Sequence, residues 1–177
     1  IFLGTAFSVF IAILLNECSR KWQKRYQTLI LIPHLLSYVV VSYIAYAFLG
    51  AENGMINNQI LRPLGLDPIS FYTEDKYWPF ILVFVNIWKT FGYSSIIYFA
   101  SIIGIDRTYY EAAEVDGASA WTQIWSITLP LLKPVLITML LLSVGRILYS
   151  DFGLFYQVPM DSGMLFNTTN TIDTFVY

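Results

Sequence analysis

Long apolar runs separated by short polar segments constrain this chain more than any other feature. Ile1–Leu15, Thr28–Leu49, Trp78–Ile103 and Pro134–Leu148 each read as a membrane-spanning helix, and Ile172–Tyr177 reads as the start of another. Only 12% of the residues are charged and 56% are hydrophobic, where soluble domains carry about 25% charged residues. The expected class is therefore an all-α integral membrane protein, a multi-span helical bundle. The first run is short: about 15 residues rise only ~22 Å, and a span needs about 20. Ile1 already lies within that apolar run, so the chain reads as an excerpt of a longer protein lacking at least one span at each end.

Orientation follows from charge. Asn16–Gln27 holds Arg20, Lys21, Lys24 and Arg25 against the single acid Glu17, which places this short loop in the cytoplasm. The second span carries Pro33 and His34 near its cytoplasmic end. His34 reads as a hydrogen-bonded structural group and Pro33 as a kink or helix start. Gly50–Tyr77 then lies outside. Met55, Ile56, Ile60, Leu61 and Leu64 recur there at helical spacing, as in a short helix resting on the outer membrane face. Tyr77 and Trp78 are expected to anchor the third span in the outer interface. The chain re-enters the cytoplasm at Gly104. Pro134 opens the fourth span, with Lys133 at its edge, and residues 149–170 return outside with a turn at Asp161-Ser162-Gly163. A net charge of −2 argues against nucleic acid as a partner, and the one cysteine, Cys18, permits no internal disulfide.

Between the third and fourth spans lies a compact polar stretch, Glu111-Ala112-Ala113-Glu114-Val115-Asp116-Gly117, continuing to Ile127-Thr128-Leu129-Pro130. Thr108 with Glu111 fits a capping box. Ala112 and Ala113 keep one helix face small, and Gly117 suits a left-handed helix stop. A second short helix is expected from Ser119 towards Thr128, with Leu129-Pro130 forcing an extended break. A helix, a turn and a helix held at the membrane surface make a knob suited to a partner protein. The pattern Glu-Ala-Ala, three residues, Gly, nine residues, Ile, one residue, Leu-Pro resembles the EAA loop of binding-protein-dependent ABC importer permeases. All its fixed positions are met, by Glu111, Ala112, Ala113, Gly117, Ile127, Leu129 and Pro130. The resemblance implies that this loop, with Asp116 beside its glycine, is a cytoplasmic coupling helix docking in a groove of an ATPase subunit. Glu111 would be the charged contact and Gly117 the turn.

No phosphate loop of the Gly-x-x-x-x-Gly-Lys-Ser/Thr type is present, nor a metal-spaced His/Cys cluster, nor a Ser/His/Asp set. A catalytic role, a cofactor and a metal held by this chain are thus not expected. The informative polar groups lie inside the spans. Lys89 and Arg146 cost at least about 2.5 kcal/mol each in hydrocarbon, so they should face protein or water. Asn86, Lys89 and Tyr93 fall on one helix face by spacing, as do Arg146 and Ser150 with Tyr149 nearby. Asp151, Phe152, Phe155, Tyr156 and Phe166 follow near the outer mouth. Aromatic faces pack on sugar C–H faces, while Arg, Lys, Asn and Asp bond hydroxyls or carboxylates. Read this way, Asn86, Lys89, Tyr93, Arg146, Tyr149, Asp151, Phe152 and Tyr156 line a sugar pathway. The competing reading pairs Arg146 with Asp151, lets Lys89 snorkel or pair with another chain, and makes the aromatics a membrane belt.

The run Asp151-Phe152-Gly153-Leu154-Phe155-Tyr156-Gln157-Val158-Pro159, with Ser162-Gly163, Ile172-Asp173-Thr174, Gln27-Thr28 and Pro33-His34, is similar to the complex-oligosaccharide branch of sugar permeases. That resemblance implies a type I ABC importer transmembrane domain over residues 1–177, with about six spans in the full chain. It also implies a bacterial inner-membrane location, a second homologous permease, an ATPase dimer holding ATP and Mg, and an extracytoplasmic solute-binding protein. The two in-span cations hint at acidic oligosaccharides. Rival readings are a peptide or amino-acid permease of the same superfamily, an ATP-independent channel or scaffold subunit, and a membrane enzyme whose catalytic set lies elsewhere.

Overall fold

The computed structural model of the chain describes residues 1–146 and 150–176. These are helical, with no strand among the described residues. Helices α1 (Phe2–Glu17), α2 (Arg20–Leu35), α3 (Tyr38–Leu49) and α4 (Trp78–Ile103) are followed by α5 (Arg107–Val115), α6 (Ala120–Gln123) and α7 (Leu129–Gly145). Two short helices, α8 (Phe166–Thr169) and α9 (Ile172–Val176), come last. Two continuous helical stretches are long and apolar enough to cross a membrane, Asp75–Ile103 with 29 residues and Ala120–Gly145 with 26. Helix α1, at 16 residues, is shorter.

Three expectations about the spans need correction. Thr28–Leu49 is not one helix: α2 stops at Leu35 and α3 begins at Tyr38, and only the bent pair together passes as a span. Pro33 near the end of α2 supplies no N–H to the turn before it. Ser37 then starts a new helix by accepting a hydrogen bond from the Val40 backbone N–H at 3.3 Å. Leu129-Pro130 forces no extended break either. Ile124–Thr128 is a π-helical turn, Leu129 is helical, and its N–H reaches back to the Ile124 carbonyl. The wider turn lets the Pro130 ring follow without striking a carbonyl of the previous turn, so Pro130 and Pro134 both lie within α7. The fourth span thus begins before Pro134, and α7 ends at Gly145 with Arg146 as its cap. Trp78 is not an outer anchor. It is fully buried, 0% exposed, and donates its Nε1–H to the Phe71 carbonyl at 2.7 Å.

By internal packing the chain divides into two compact units, Ile1–His34 with Trp88–Ile147, and Leu35–Ile87 with Leu148–Tyr177. The first unit has a core of Val9, Ala12 and Leu15 from α1, Tyr98, Phe99 and Ile102 from α4, and Leu132 from α7. Lipid tails are as apolar as these side chains, so close fit holds such helices together more than exclusion from water does. Small residues make the fit. A Cβ on Gly92 would stand 1.8 Å from the Ile30 carbonyl oxygen, so α4 and α2 touch backbone to backbone there.

The second unit is organised around Asn57. Its buried amide donates to the carbonyls of Gly50, Ala51 and Ile69 at 3.2, 3.1 and 2.9 Å, and its Oδ1 accepts from the Ile69 N–H at 3.0 Å. One side chain thereby closes the segment after α3. Residues Asn57–Leu61 form a π-helical turn and Arg62–Leu64 a 3-10 turn, with Met55, Ile60 and Leu64 exposed. The short helix read from their spacing is therefore present. Tyr72 stands edge-on to both Tyr46 and Trp78, and its hydroxyl reaches the Val158 carbonyl at 3.4 Å. The expected turn at Asp161 is sharper than its sequence suggests, since Met160 and Asp161 both have positive φ, 55° and 50°. Two consecutive left-handed residues without glycine cost energy that the surrounding contacts must offset.

Two substitutions check this packing in the full-length protein purified in detergent. Gly92→Leu should cost about 3 kcal/mol by overpacking, and Asn57→Leu about 2–4 kcal/mol by stranding buried backbone groups. Both should appear as lowered thermal-unfolding midpoints, whereas Gly145→Ala, with open space around it and no positive φ, should shift the midpoint far less.

Candidate functional site

The polar stretch after α4 folds as a helix, a turn and a helix. Asp106, rather than Thr108, caps α5. Its carboxylate accepts the Thr108 backbone N–H at 3.0 Å, and that bond holds the Asp106 pKa below the usual carboxylate range. Asp wins because it sits one residue before the first helical turn, where its side chain meets the free N–H groups. At the other end Gly117 takes φ +76°, its N–H bonds the Glu114 carbonyl at 3.0 Å, and the Ala118 N–H bonds the Ala113 carbonyl at 2.8 Å. This pair is a Schellman stop, which favours glycine at that position. Ser119 caps α6 through the Thr122 N–H.

None of the nine residues of α5 is buried. Glu111, Ala112, Asp116 and Gly117 are exposed and Ala113 is half-buried, while Val115 is 88% exposed. Ile127 and Leu129 are partly buried and Pro130 is exposed, on the π turn and the start of α7. The Tyr110 hydroxyl and Thr128 Oγ1 lie 2.9 Å apart, tying α5 to the foot of α7. Sequence reasoning missed two residues. Trp121 and Trp125, one turn apart and edge to face at 5.9 Å, are both exposed beside this knob. Two tryptophans four apart in a polar segment between apolar runs were the available signal.

The other candidate groups fall in both units, and each is described within its own. In the first, Lys89 is 8% exposed and its ammonium donates to the His34 carbonyl at 3.1 Å. A cation at the C-terminal turn of α2 meets the negative end of that helix. The idea that Lys89 snorkels is thus set aside, since it is held inside the protein. Tyr93, half exposed, stacks on the His34 ring with centroids 4.9 Å apart. Arg146 is exposed at the end of α7.

Asn86, in the second unit, is exposed on α4. Asp151 accepts the Tyr38 hydroxyl and also faces the Leu154 N–H at 3.4 Å. Phe152 and Tyr156 stack on each other at 4.7 Å. Tyr149 lies outside the described residues. A cavity of about 270 Å³ is lined by Phe155, Tyr156, Phe166 and Phe175 together with polar Asp161 and Asn170, among others. Aromatic faces beside amide and carboxylate groups suit a ligand with both C–H faces and hydroxyls.

Residues 4–154 match the family described as binding-protein-dependent transport system inner membrane component. The chain is 36% identical over 175 residues to the polygalacturonan/rhamnogalacturonan transport system permease protein YteP of Bacillus subtilis (strain 168). That match covers 96% of this chain and 52% of the relative, so the chain spans about half the relative's length. It is also similar to a solved bacterial ABC transporter involved in the import of the acidic polysaccharide alginate, with TM-score 0.91, 33% identity, and coverage of 99% of this chain and 61% of that one. A second structure, of a bacterial alginate ABC transporter in complex with an alginate pentasaccharide-bound periplasmic protein, gives TM-score 0.90 and 34% identity over 98% of this chain and 60% of that one. The fold is thus that of a type I ABC importer transmembrane domain.

The placement of Lys89 has a direct chemical check. A water-soluble amine-acylating reagent applied to the full-length protein should modify Lys76, whose side chain is 63% exposed, and leave Lys89 unmodified by peptide mass spectrometry. Equal modification of the two would mean that Lys89 stands open to water.

Proposed function

The chain belongs to the family of binding-protein-dependent transport system inner membrane components, and on that premise we propose that it is the permease subunit of an ATP-driven importer for oligosaccharides, acidic ones in particular. The observation that carries this reading is the exposed knob of α5 and α6, built on a Schellman stop at Gly117 and joined without a break to α7. Its partners are an ATPase dimer that holds ATP and Mg, a second homologous permease and an extracytoplasmic solute-binding protein. The chain crosses the bacterial inner membrane several times with this knob in the cytoplasm. Solute moves without covalent chemistry.

Helical continuity supplies the mechanism. Ala120–Gly145 is one helical stretch, so force applied at the knob reaches the span directly instead of being absorbed by a flexible joint. Glu111 offers a charge to the ATPase groove, Ala112 and Ala113 admit close backbone approach, and Val115, Trp121 and Trp125 supply apolar contact. Closure of the ATPase dimer on ATP would tilt α7 and alternate access to the solute. Within the second unit, the cavity lined by Phe155, Tyr156 and Phe166 has room for about one sugar ring. Arg146, free of any carboxylate within 4.0 Å among the described residues, is the cation this reading assigns to acidic sugars. Relatives named for polygalacturonan and alginate support the same substrate class.

The test uses the full-length chain assembled with its partners in lipid vesicles, with loaded binding protein outside. Gly117→Asp should insert normally yet lower uptake on the order of tenfold, because a left-handed L-residue costs about 1–2 kcal/mol at the docking turn. Normal uptake by that variant would remove the coupling assignment. Across a panel of oligosaccharides, Arg146→Ala should lose stimulation of ATP hydrolysis by acidic members and keep that by neutral ones. An equal response of both variant and parent to all sugars would leave Arg146 structural.

A further inference from the structure

The start of α2 carries a feature that transport coupling leaves unused. Its first six residues hold Arg20, Lys21, Lys24 and Arg25, all exposed, and its first turn contains no acid. Among the described residues no carboxylate lies within 4.0 Å of any of the four. They crowd the positive end of the helix dipole, so the segment is short of negative charge twice over. The Arg25 guanidinium lies over the Trp22 ring at 4.9 Å, and Trp22 stacks with Tyr26 at 6.0 Å. Stacking fixes the plane of the guanidinium and leaves its N–H edge available for an oxyanion. Lys24, Arg25, Thr28 and Leu29 line an open concavity of about 490 Å³. Further along the same helix, Leu29 and Ile32 are exposed and apolar.

Cations and a stacked aromatic pair at one end, followed by an uncovered apolar stripe, match the head and tail of an anionic amphiphile laid along the helix. We propose that this face of α2 binds an anionic phospholipid of the cytoplasmic leaflet, its phosphate between Lys24 and Arg25 and its acyl chain along Leu29 and Ile32. Charge complementarity selects this occupant: the inner leaflet is anionic, and aromatic residues concentrate at headgroup depth. The leaflet rests on the orientation proposed above.

Trp22 is a built-in reporter. The full-length chain with its partner subunits is reconstituted in phosphatidylcholine vesicles containing phosphatidylglycerol, with bromine on the acyl chains of one lipid or the other. The Trp22 signal is the difference between the parent and Trp22→Phe. Quenching by brominated phosphatidylglycerol should appear at a lower mole fraction than quenching by brominated phosphatidylcholine. Lys24→Gln and Arg25→Gln should each weaken that preference about fivefold, and Lys24→Arg should retain it. Equal quenching by both lipids would overturn the site, leaving a general interfacial belt. Absence of quenching by either would overturn it in favour of a protein occupant. In a Cys18→Ser background, Glu17→Cys should react with a membrane-impermeant maleimide only from the nucleotide-bearing side. Reaction from the opposite side alone would overturn the orientation and the leaflet together. Loss of lipid preference with correctly sided labelling would sink the lipid site and leave the permease reading standing.

Discussion

Inside hydrocarbon every backbone N–H and C=O has to find a partner within the protein, and the placement of prolines, glycines and the buried lysine follows from that requirement. Where α2 ends between apolar segments, its last carbonyls lack helical donors. Lys89 meets that need, its Nζ donating to the His34 carbonyl at the negative end of the helix. Burying a lysine is costly, and the carbonyl contact offsets part of the cost while fixing α4 against α2. Gly92, one turn further along α4, lets the same two helices touch. The polar anchor and the close approach reinforce each other, because neither survives a shift of one helix along the other.

The same requirement explains why the segment from Ala120 to Gly145 stays helical through two prolines. Each proline removes one donor and crowds a carbonyl one turn back. The π turn at Ile124–Thr128 moves the bonding register by one residue just ahead of Pro130, so the helix widens instead of breaking. On the proposed coupling role, a widened helix transmits displacement where an extended hinge would lose it. The knob and the span are therefore one mechanical element, with the Tyr110–Thr128 contact as a brace.

The second unit solves a different problem, ordering polar segments that lie outside the spans. Asn57 closes the stretch after α3 with a single amide, and Tyr72 packs on Trp78 while its hydroxyl reaches the Val158 carbonyl. Asp151, which by residue type is an attractive ligand for a sugar hydroxyl, already accepts the Tyr38 hydroxyl. Phe152 and Tyr156 likewise turn one face each to the other. Side chains of the right chemistry for a sugar hydroxyl serve the fold first.

Much of this was legible in the chain itself. Apolar length signals long helices because backbone polarity and bilayer thickness constrain any sequence, and α4 is helical from Trp78 to Ile103 as its apolar pattern indicates. Gly117 was readable because only a left-handed turn calls for glycine between two capped helices. Local rules failed where a neighbour decides the outcome. Pro130 signals a break until the π turn before it is known. Trp78 signals an interface until the Phe71 carbonyl is seen to take its N–H. Lys89 leaves its protein partner unnamed until α2 is brought alongside. The sequence by itself determined the membrane class, the long apolar helix α4 and the turn at Gly117, since these depend on segment length and backbone conformation, whereas the break in Thr28–Leu49 and the start of α7 did not follow from it. Only the tertiary structure decided which polar side chains are occupied, because a hydrogen bond between residues 55 apart, as in Lys89 to His34, leaves no periodic trace in the chain.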